Sequence, residues 1–264
     1  MRPTRTREAT TDDTVSLPRP VLDLDRVDQL DDSPEALFHL LHDEAYVVEL
    51  APGFELMLRL PRWRSKAKRA LDLCFGGVAV LVTLPVALLT ALAIKLDSPG
   101  PIFFRQDRVG RGGHHFVVWK FRTMTADAAE RLAHDPSLAA EYERSNYKIP
   151  QGADERITRL GAFLRKTSLD ELPQLINVLR GEMSLVGPRP VVPDEVTKYG
   201  PLAPAYMAVR PGMTGEWQVQ GRSSIGYPTR AVIDFMYVQR WGLIHDMVIL
   251  LRTIPVVLLR RGAY

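Results

Sequence analysis

An uncharged apolar run of 22 residues, Leu73 to Ile94, constrains the fold of this chain most strongly. A helix of that length matches the hydrocarbon core of a bilayer, which is about 30 Å thick. Basic side chains precede the run in residues 61–72, and others follow it from Lys95 to Arg111. Because Lys and Arg near a membrane segment favour the cytoplasmic side, both flanks are expected on the same side of the membrane.

Pro85 lies near the middle of this run and gives the chain a way to return to the side from which it entered. A proline inside a helix removes one backbone hydrogen bond and bends the helix axis. We therefore predict a basic belt and a re-entrant membrane helix within residues 61–98, broken at Pro85. A buried helix of a soluble domain is the alternative interpretation.

The distribution of charge divides the chain into an acidic beginning and a basic remainder. Residues 1–60 contain 13 acidic and 6 basic side chains, against 18 acidic and 28 basic ones in the rest. Residues 1–17 are polar and predict a disordered tail, with no signal peptide. Residues 18–60 predict a small acidic accessory region. Residues 99–264 predict a basic domain that carries the chemistry and favours phosphates or an anionic membrane surface as partners.

Local patterns in this last domain predict an α+β fold that is mostly helical. Residues 102–104 and 116–119 predict the strands of a small β-hairpin, joined by the glycine-rich residues 109–113. Residues 125–147 predict a polar, solvated helical segment.

The C-terminal run from His245 to Arg261 mixes apolar and basic side chains. Such a pattern predicts interfacial amphipathic helices that lie along a membrane surface, and Pro255 predicts two short pieces instead of one helix. Packing of this run in the core is the alternative.

Two adjacent carboxylates, Asp170 and Glu171, are the first candidates for chemistry. Ser168 precedes Glu171 by three residues, as in a capping box at the start of a helix that Gly181 would end. Capping explains Ser168 and Glu171 but gives Asp170 no role. Backbone N–H groups in a first helical turn favour an ionised carboxylate, which a nucleophile or a metal ligand requires. With Arg165 upstream, the segment favours phosphoryl chemistry with a divalent cation.

Three turns rich in proline or glycine follow, and each carries one arginine: Arg189, Arg210 and Arg222. Guanidinium groups bind phosphate oxygens through paired hydrogen bonds. The three turns therefore predict a shared phosphate pocket, with ordinary solvated surface arginines as the alternative.

Several long motifs occur together in the second part of the chain. They are KFRTM (120–124), TSLDELPQLINVLRGEMSLVGPRP (167–190), RPGMTG (210–215), WQVQGR (217–222) and the closing RRGAY. From Lys66 to the C-terminus, the chain resembles the monotopic polyprenol-phosphate phosphoglycosyl transferases, the bacterial sugar transferase family, and its members that initiate exopolysaccharide and O-antigen synthesis. The resemblance implies a domain on the cytoplasmic face of the bacterial inner membrane, bound to one leaflet.

The resemblance also implies a ping-pong reaction and the residues that perform it. A sugar 1-phosphate would pass from a UDP-sugar to polyprenyl (undecaprenyl) phosphate with release of UMP, and glucose or galactose is favoured over an N-acetylated sugar. Asp170 would form the covalent intermediate, and Asp170 and Glu171 would bind Mg²⁺, with Glu171 as an alternative base. The residues implied in substrate-phosphate binding are Arg165, Arg189, Lys120, Arg122, Arg210 and Arg222.

One position departs from the pattern of the family, whose membrane helix breaks at a Ser-Pro pair. Pro85 matches the proline, but Leu84 stands where serine is usual. The resemblance therefore supports a break at Pro85 and leaves its geometry open, and it leaves a homo-oligomer open as well.

Other functions fit parts of the sequence. A non-enzymatic, membrane-anchored scaffold with a basic cytoplasmic domain needs neither carboxylate. A nucleotide-sugar enzyme that does not act on a lipid is the alternative among enzymes. Nucleic acid is not an expected partner, because no aromatic-rich or zinc-binding motif accompanies the basic residues.

Overall fold

A computed structural model describes residues 62–144, 149, 154–221 and 225–258. The predicted tail 1–17, the acidic region 18–60 and the closing RRGAY lie outside the described residues. The helices are α1 (Arg62–Asp97), α2 (Ala128–His134), α3 (Pro136–Arg144), α4 (Arg159–Thr167), α5 (Gln174–Arg180), α6 (Pro193–Val196), α7 (Ala203–Ala208), α8 (Glu216–Gln220), α9 (Thr229–Gln239) and α10 (Leu243–Leu258). The strands are β1 (Phe103–Val109), β2 (His115–Phe121), β3 (Ser184–Val186) and β4 (Gly212–Thr214). Strands β1 and β2 are antiparallel, whereas β3 and β4 form a short parallel pair.

Helix α1 contains the whole apolar run and continues through Pro85. Within the described residues it is the one helix long and apolar enough to cross a membrane. Its most exposed apolar side chains are Leu81, Val82, Leu88, Leu89, Leu92 and Leu96. An apolar surface of this extent is typical of contact with lipid or protein. The re-entrant bend at Pro85 stays a prediction.

Both halves of α1 pack against the same domain. In the first half, a methyl group added to Gly76 would lie 3.4 Å from Val178 of α5. In the second half, Ile94 is buried in a cluster with Leu164 of α4, and Ala87 packs against that cluster. About ten residues separate Gly76 from Ala87, which is roughly 15 Å of helix. That length is about half the hydrocarbon thickness of a bilayer.

The predicted β-hairpin is confirmed, and both of its strands are longer than the sequence pattern indicates. The register pairs Phe104 with Lys120, and Arg108 with Phe116. Side chains alternate between the two faces of a strand, so Lys120 and Arg108 share one face of the hairpin.

A single buried amide, Asn177, joins α5 to this hairpin. Its Nδ2 donates to the carbonyl oxygen of Val117 at 2.7 Å and to the carboxylate of Glu182 at 2.7 Å. Its Oδ1 accepts from the backbone N–H of Trp119 at 3.2 Å. A buried side chain that satisfies three polar groups fixes the hairpin relative to the turn that precedes α5.

The predicted capping box is wrong. Ser168 ends α4 in the left-handed conformation, with φ of 57°, and its side chain makes no capping hydrogen bond. Pro173 has no N–H to donate, which interrupts the α-helical bonding pattern. Residues Leu169–Glu171 consequently form a 3₁₀ turn, and α5 begins only at Gln174.

Two other expectations concern helix ends. Gly181 ends α5 with φ of 83°, as the sequence predicts. The predicted break at Pro255 is wrong, because α10 continues through it to Leu258. Pro255 and Leu251, whose carbonyl loses its hydrogen bond to the proline, both lie on the exposed side of the helix. The loss therefore leaves no unpaired carbonyl in the core.

The helical character predicted for residues 125–144 is confirmed, but two helices share the segment. Asp135 separates α2 from α3, and its carboxylate accepts from the backbone N–H groups of Ser137 and Leu138. Asp135 thus caps α3, and the side chain stops one helix and starts the next. Residues 145–147 lie outside the described part of the chain.

Candidate active site

Asp170 and Glu171 lie in the 3₁₀ turn between α4 and α5, beside the hairpin. Asp170 is 9% exposed. The Oε1 atom of Glu171 lies 2.9 Å from the Lys120 ammonium and 3.5 Å from a terminal nitrogen of Arg189. The turn therefore holds two carboxylates side by side, with cations from β2 and from the GPRP segment (residues 187–190) next to Glu171.

The charge state of Asp170 reflects this crowding. Burial and then the negative charge of Glu171 raise the pKa of Asp170 to about 6, while Lys120, Arg165 and Arg189 act to lower it. Two carboxylates in one partly buried site repel each other, so the ionised pair depends on nearby positive charge. Three protein cations, Lys120, Arg165 and Arg189, supply such charge.

Arg165, in the last turn of α4, is placed with the pair as the sequence predicts. Its Nε donates to the hydroxyl of Thr123 at 2.9 Å. Burial lowers the pKa of Arg165, while the charges of Asp170 and Asp154 raise it. The guanidinium thus lies within electrostatic reach of Asp170 and is held there by a residue of the KFRTM motif.

Arg108 lies next to Arg189, and the sequence patterns do not predict it as a site residue. One terminal nitrogen of Arg108 donates to the carbonyl oxygen of Pro190 at 2.9 Å, and the same nitrogen lies 3.8 Å from the carboxylate of Glu195. Burial and the neighbouring charge of Arg189 lower the pKa of Arg108 to about 10. The alternation of β1 is the signal that could have found Arg108, because it shares a face with Lys120.

The GPRP segment is fixed next to β1 by a buried tyrosine. The hydroxyl of Tyr206 donates to the carbonyl oxygen of Val109 at 2.6 Å and accepts from the backbone N–H of Val191 at 3.2 Å. The N–H of Val109 donates to the carbonyl oxygen of Val191 at 3.0 Å. This closed set of hydrogen bonds explains why Arg189 and Arg108 meet, although they are far apart in sequence.

Arg122, which the family resemblance implies in phosphate binding, instead contacts the loop after α1. Its terminal nitrogens donate to the carbonyl oxygens of Ser98 and Pro99, in the loop that follows α1. The side chain is 7% exposed. The guanidinium therefore holds the end of α1 against the domain, and the structure does not bring it to Asp170.

Arg210 also lies away from the carboxylate pair. Its Nε donates to the carbonyl oxygen of Gly181 at 2.7 Å, beyond the C-terminal end of α5. Asp170 and Glu171 precede the other end of α5, so the predicted single pocket does not include Arg210. Arg222 lies outside the described residues.

The two carboxylates suit a divalent ion that the substrate helps to bind. Across the described ranges, no group of three or more His, Cys, Asp or Glu side chains is arranged to hold a metal. Mg²⁺ is usually bound by one or two carboxylates together with water and substrate phosphates. Burial, and then the repulsion from Glu171, raise the pKa of Asp170, and both effects fit a cation between the two carboxylates.

Comparison with known proteins gives concordant matches over the same part of the chain. A sequence model of the family described as bacterial sugar transferase matches residues 63–260. The exopolysaccharide production protein ExoY of Rhizobium meliloti is 45% identical over 202 residues, which are 75% of this chain and 88% of that protein. The UDP-glucose:undecaprenyl-phosphate glucose-1-phosphate transferase of Caulobacter vibrioides is 42% identical over 232 residues, 82% of this chain and 81% of that protein.

Some relatives are much longer. The undecaprenyl-phosphate galactose phosphotransferase of Salmonella typhimurium is 44% identical over 201 residues, 75% of this chain but 41% of that protein. An uncharacterized sugar transferase of Haemophilus influenzae is 48% identical over 201 residues, 75% of this chain and 42% of that protein. The match thus spans about two fifths of the length of these relatives.

Proposed function

This chain belongs to the bacterial sugar transferase family, and we propose that it transfers a sugar 1-phosphate from a UDP-sugar to undecaprenyl phosphate with release of UMP. The observation that carries the proposal is the buried Asp170 beside Glu171, with Lys120, Arg165 and Arg189 around them. The names of the Salmonella and Caulobacter relatives contain the same lipid acceptor. The ExoY relative, named for exopolysaccharide production, supports a role in the first membrane step of such a pathway.

In the first half-reaction, a carboxylate oxygen of Asp170 attacks the β-phosphorus of the UDP-sugar. The bond from that phosphorus to the oxygen bridging the two phosphates breaks, and UMP leaves with the electron pair. The product on the protein is a sugar-phosphoryl aspartate. Asp170 suits this role because its carboxylate, unlike that of Glu171, makes no ion pair among the described residues.

In the second half-reaction, an oxygen of undecaprenyl phosphate attacks the same phosphorus. The bond between phosphorus and the Asp170 oxygen breaks, which restores the carboxylate and gives an undecaprenyl diphosphate sugar. Both steps bring anions together, so Lys120, Arg165 and Arg189 stabilise the reaction by neutralising phosphate oxygens as charge moves onto them. Glu171 holds Lys120 and Arg189 in place through its Oε1.

Asp170 and Glu171 would hold Mg²⁺ in this proposal. When bound, Mg²⁺ supplies positive charge to the diphosphate and to the departing UMP. The protein residues bind and orient the two substrates around it.

The contacts of α1 support a placement of this helix in the membrane. Gly76 and Ala87 both pack against the catalytic domain, and the intervening helix is too short to cross a bilayer. We propose that α1 enters and leaves through one leaflet of the inner membrane, with the domain on the cytoplasmic face. Ile94 is part of a buried cluster, and Leu169, the neighbour of Asp170, packs against that cluster. The second half of α1 therefore also brings Asp170 close to the headgroups, where the acceptor phosphate lies.

Cysteine labelling in intact spheroplasts tests this placement. Cys74 is exposed, so it is first replaced by Ala. Single cysteines at Lys66 and Lys95, both exposed, are expected to react with a membrane-impermeant maleimide only after lysis, because both flanks are cytoplasmic. Labelling of either position from outside would contradict the re-entrant arrangement.

Release of UMP from a panel of UDP-sugars tests the activity. With the purified full chain, Mg²⁺ and undecaprenyl phosphate, UDP-glucose or UDP-galactose is expected to give UMP and a lipid-linked sugar. A UDP-N-acetylhexosamine serves as the matched donor with the additional acetamido group, and we expect it to react more slowly. Absence of UMP with every donor would favour the scaffold alternative and overturn the proposal. UMP without a lipid product would favour a nucleotide-sugar enzyme that does not use a lipid.

A further inference from the structure

A second crevice lies at the beginning of α1, and its lining includes Ser65, Lys68, Arg111, Arg210, Tyr237 and Trp241. Two of its cations come from loops that the catalytic proposal does not use: Arg111 from the tip of the hairpin and Arg210 from the segment before β4. The crevice is therefore built by four parts of the chain: the start of α1, the tip of the hairpin, the segment before β4, and the end of α9 with Trp241.

The hydrogen-bonding capacity of these two arginines is largely unused. Within the described ranges, the side chain of Arg111 has no hydrogen-bond or ion-pair partner, and it is exposed. Arg210 donates its Nε to Gly181, but its two terminal nitrogens donate to no residue in the described part of the chain. Guanidinium groups with free, converging N–H donors bind phosphate oxygens.

The local charge is positive. Burial, and the positive charges of Arg111 and Arg69, lower the pKa of Arg210, and only Asp72 acts in the opposite direction. Lys68 in the same crevice is already paired with Asp246. An anion placed between Arg111 and Arg210 would relieve this repulsion between the arginines.

The crevice is separate from the candidate active site. Arg210 is bound to Gly181, just after α5, whereas Glu171 lies before its first turn. The seven residues of α5 lie between them and correspond to roughly 10 Å along the helix. A phosphate bound at Arg210 therefore cannot be the one attacked by Asp170.

The position of the crevice identifies the kind of anion. Ser65 and Lys68 are the first residues of the segment able to enter a membrane. Helix α10 packs beside it, since Met247 and Leu250 meet Leu71 and Phe75 of α1 around a neighbouring crevice. On its outer side α10 exposes an apolar stripe: Ile244, Val248, Leu251 and Ile254. An exposed apolar stripe with a cationic crevice beside it is the surface expected at the headgroup level of a bilayer.

We propose that this crevice binds the phosphate of an anionic phospholipid headgroup between Arg111 and Arg210. Trp241 forms one wall of the crevice, and Lys68 lies 5.6 Å from the centre of its ring. Bound lipid would fix the domain against the leaflet at the base of α1. The site shares with the proposed function the placement of α1 in a membrane, but it does not depend on the chemistry at Asp170.

Calorimetric titration of the detergent-solubilised full chain, without UDP-sugar, tests the site. Dihexanoyl phosphatidylglycerol is expected to bind at least about tenfold more tightly than dihexanoyl phosphatidylcholine. Arg111→Glu is expected to weaken the phosphatidylglycerol affinity by at least about tenfold, the effect of losing a hydrogen bond between charged groups, and Arg111→Lys by less. Arg111 is exposed and unpaired among the described residues, so these variants are expected to fold and to release UMP as the wild type does.

Arg159→Glu is the matched control, because Arg159 is an exposed arginine at the start of α4, away from the crevice. It makes the same charge change and is expected to leave lipid affinity unchanged. Equal weakening by Arg159→Glu and Arg111→Glu, or equal binding of the two lipids, would overturn the site. If inorganic phosphate binds as tightly as phosphatidylglycerol, the ligand is a free anion and the lipid assignment is wrong.

Discussion

Replacing Asp170 by Asn is expected to reduce UMP release from the preferred UDP-sugar by at least about 10³-fold. The amide has the shape of the carboxylate but cannot attack phosphorus at a useful rate. It also removes one of the two charges expected to bind Mg²⁺. Initial rates at saturating UDP-sugar, with and without undecaprenyl phosphate, measure the effect in both half-reactions.

Loss of folding would not explain this result. Asp170 is 9% exposed, and its charge is unfavourable in the folded protein because it is buried beside Glu171. Removing that charge is expected to leave the unfolding temperature at pH 8 equal to or above that of the wild type. Asp127→Asn makes the same chemical change at an exposed position and is expected to retain full activity. Retention of more than about a tenth of the wild-type rate in Asp170→Asn would be incompatible with a nucleophilic role.

Replacing Lys68 by Met is expected to destabilise the protein by about 3–5 kcal/mol. The Lys68 ammonium, at the start of α1, bonds the carboxylate of Asp246 and, at 2.9 Å, the carbonyl oxygen of Val186. Asp246 is 4% exposed and would be left as a buried negative charge. The apparent unfolding temperature in detergent is expected to fall by roughly 10 °C.

A double-mutant cycle separates the contribution of the Lys68–Asp246 ion pair to stability from other destabilising effects of the substitution. Asp246 also accepts a hydrogen bond on Oδ1 from the Tyr237 hydroxyl at 2.7 Å and one on Oδ2 from Trp241 Nε1 at 3.1 Å. An asparagine removes the buried charge, and its single side-chain oxygen keeps one of the two bonds. Asp246→Asn combined with Lys68→Met is therefore expected to cost less than Lys68→Met alone. Lys66→Met is the matched control at an exposed neighbouring position. If it lowers the unfolding temperature as much as Lys68→Met does, the internal ion pair does not anchor α1.

The elements that could be predicted from sequence are those with a strong local cause. Two short apolar runs around a glycine-rich turn predict the hairpin, and Gly181 ends α5 because a left-handed residue is needed there. The capping box failed because Pro173 cannot donate a hydrogen bond, so the turn at Asp170 became 3₁₀. That failure concerns only the local backbone and leaves the pairing of Asp170 with Glu171 intact.

The distribution of the arginines could not be predicted, because it depends on contacts between remote segments. Arg122 donates hydrogen bonds to the loop after α1, and Arg210 donates one to the carbonyl oxygen of Gly181. Arg108 joins Arg189 only because Tyr206 ties β1 to the GPRP segment. Sequence motifs thus identified a basic domain, but tertiary hydrogen bonds decide which cations face the carboxylates.

In the proposed reaction Asp170 carries the sugar phosphate between the two substrates, and intact-protein mass spectrometry detects this covalent adduct. The full chain is incubated with Mg²⁺ and UDP-glucose or UDP-galactose, without undecaprenyl phosphate. We expect a mass increase of one sugar phosphate, accompanied by UMP, that disappears when undecaprenyl phosphate is added and never forms in Asp170→Asn. An active protein that gains no mass, or an Asp170→Asn variant that gains the same mass, would contradict it.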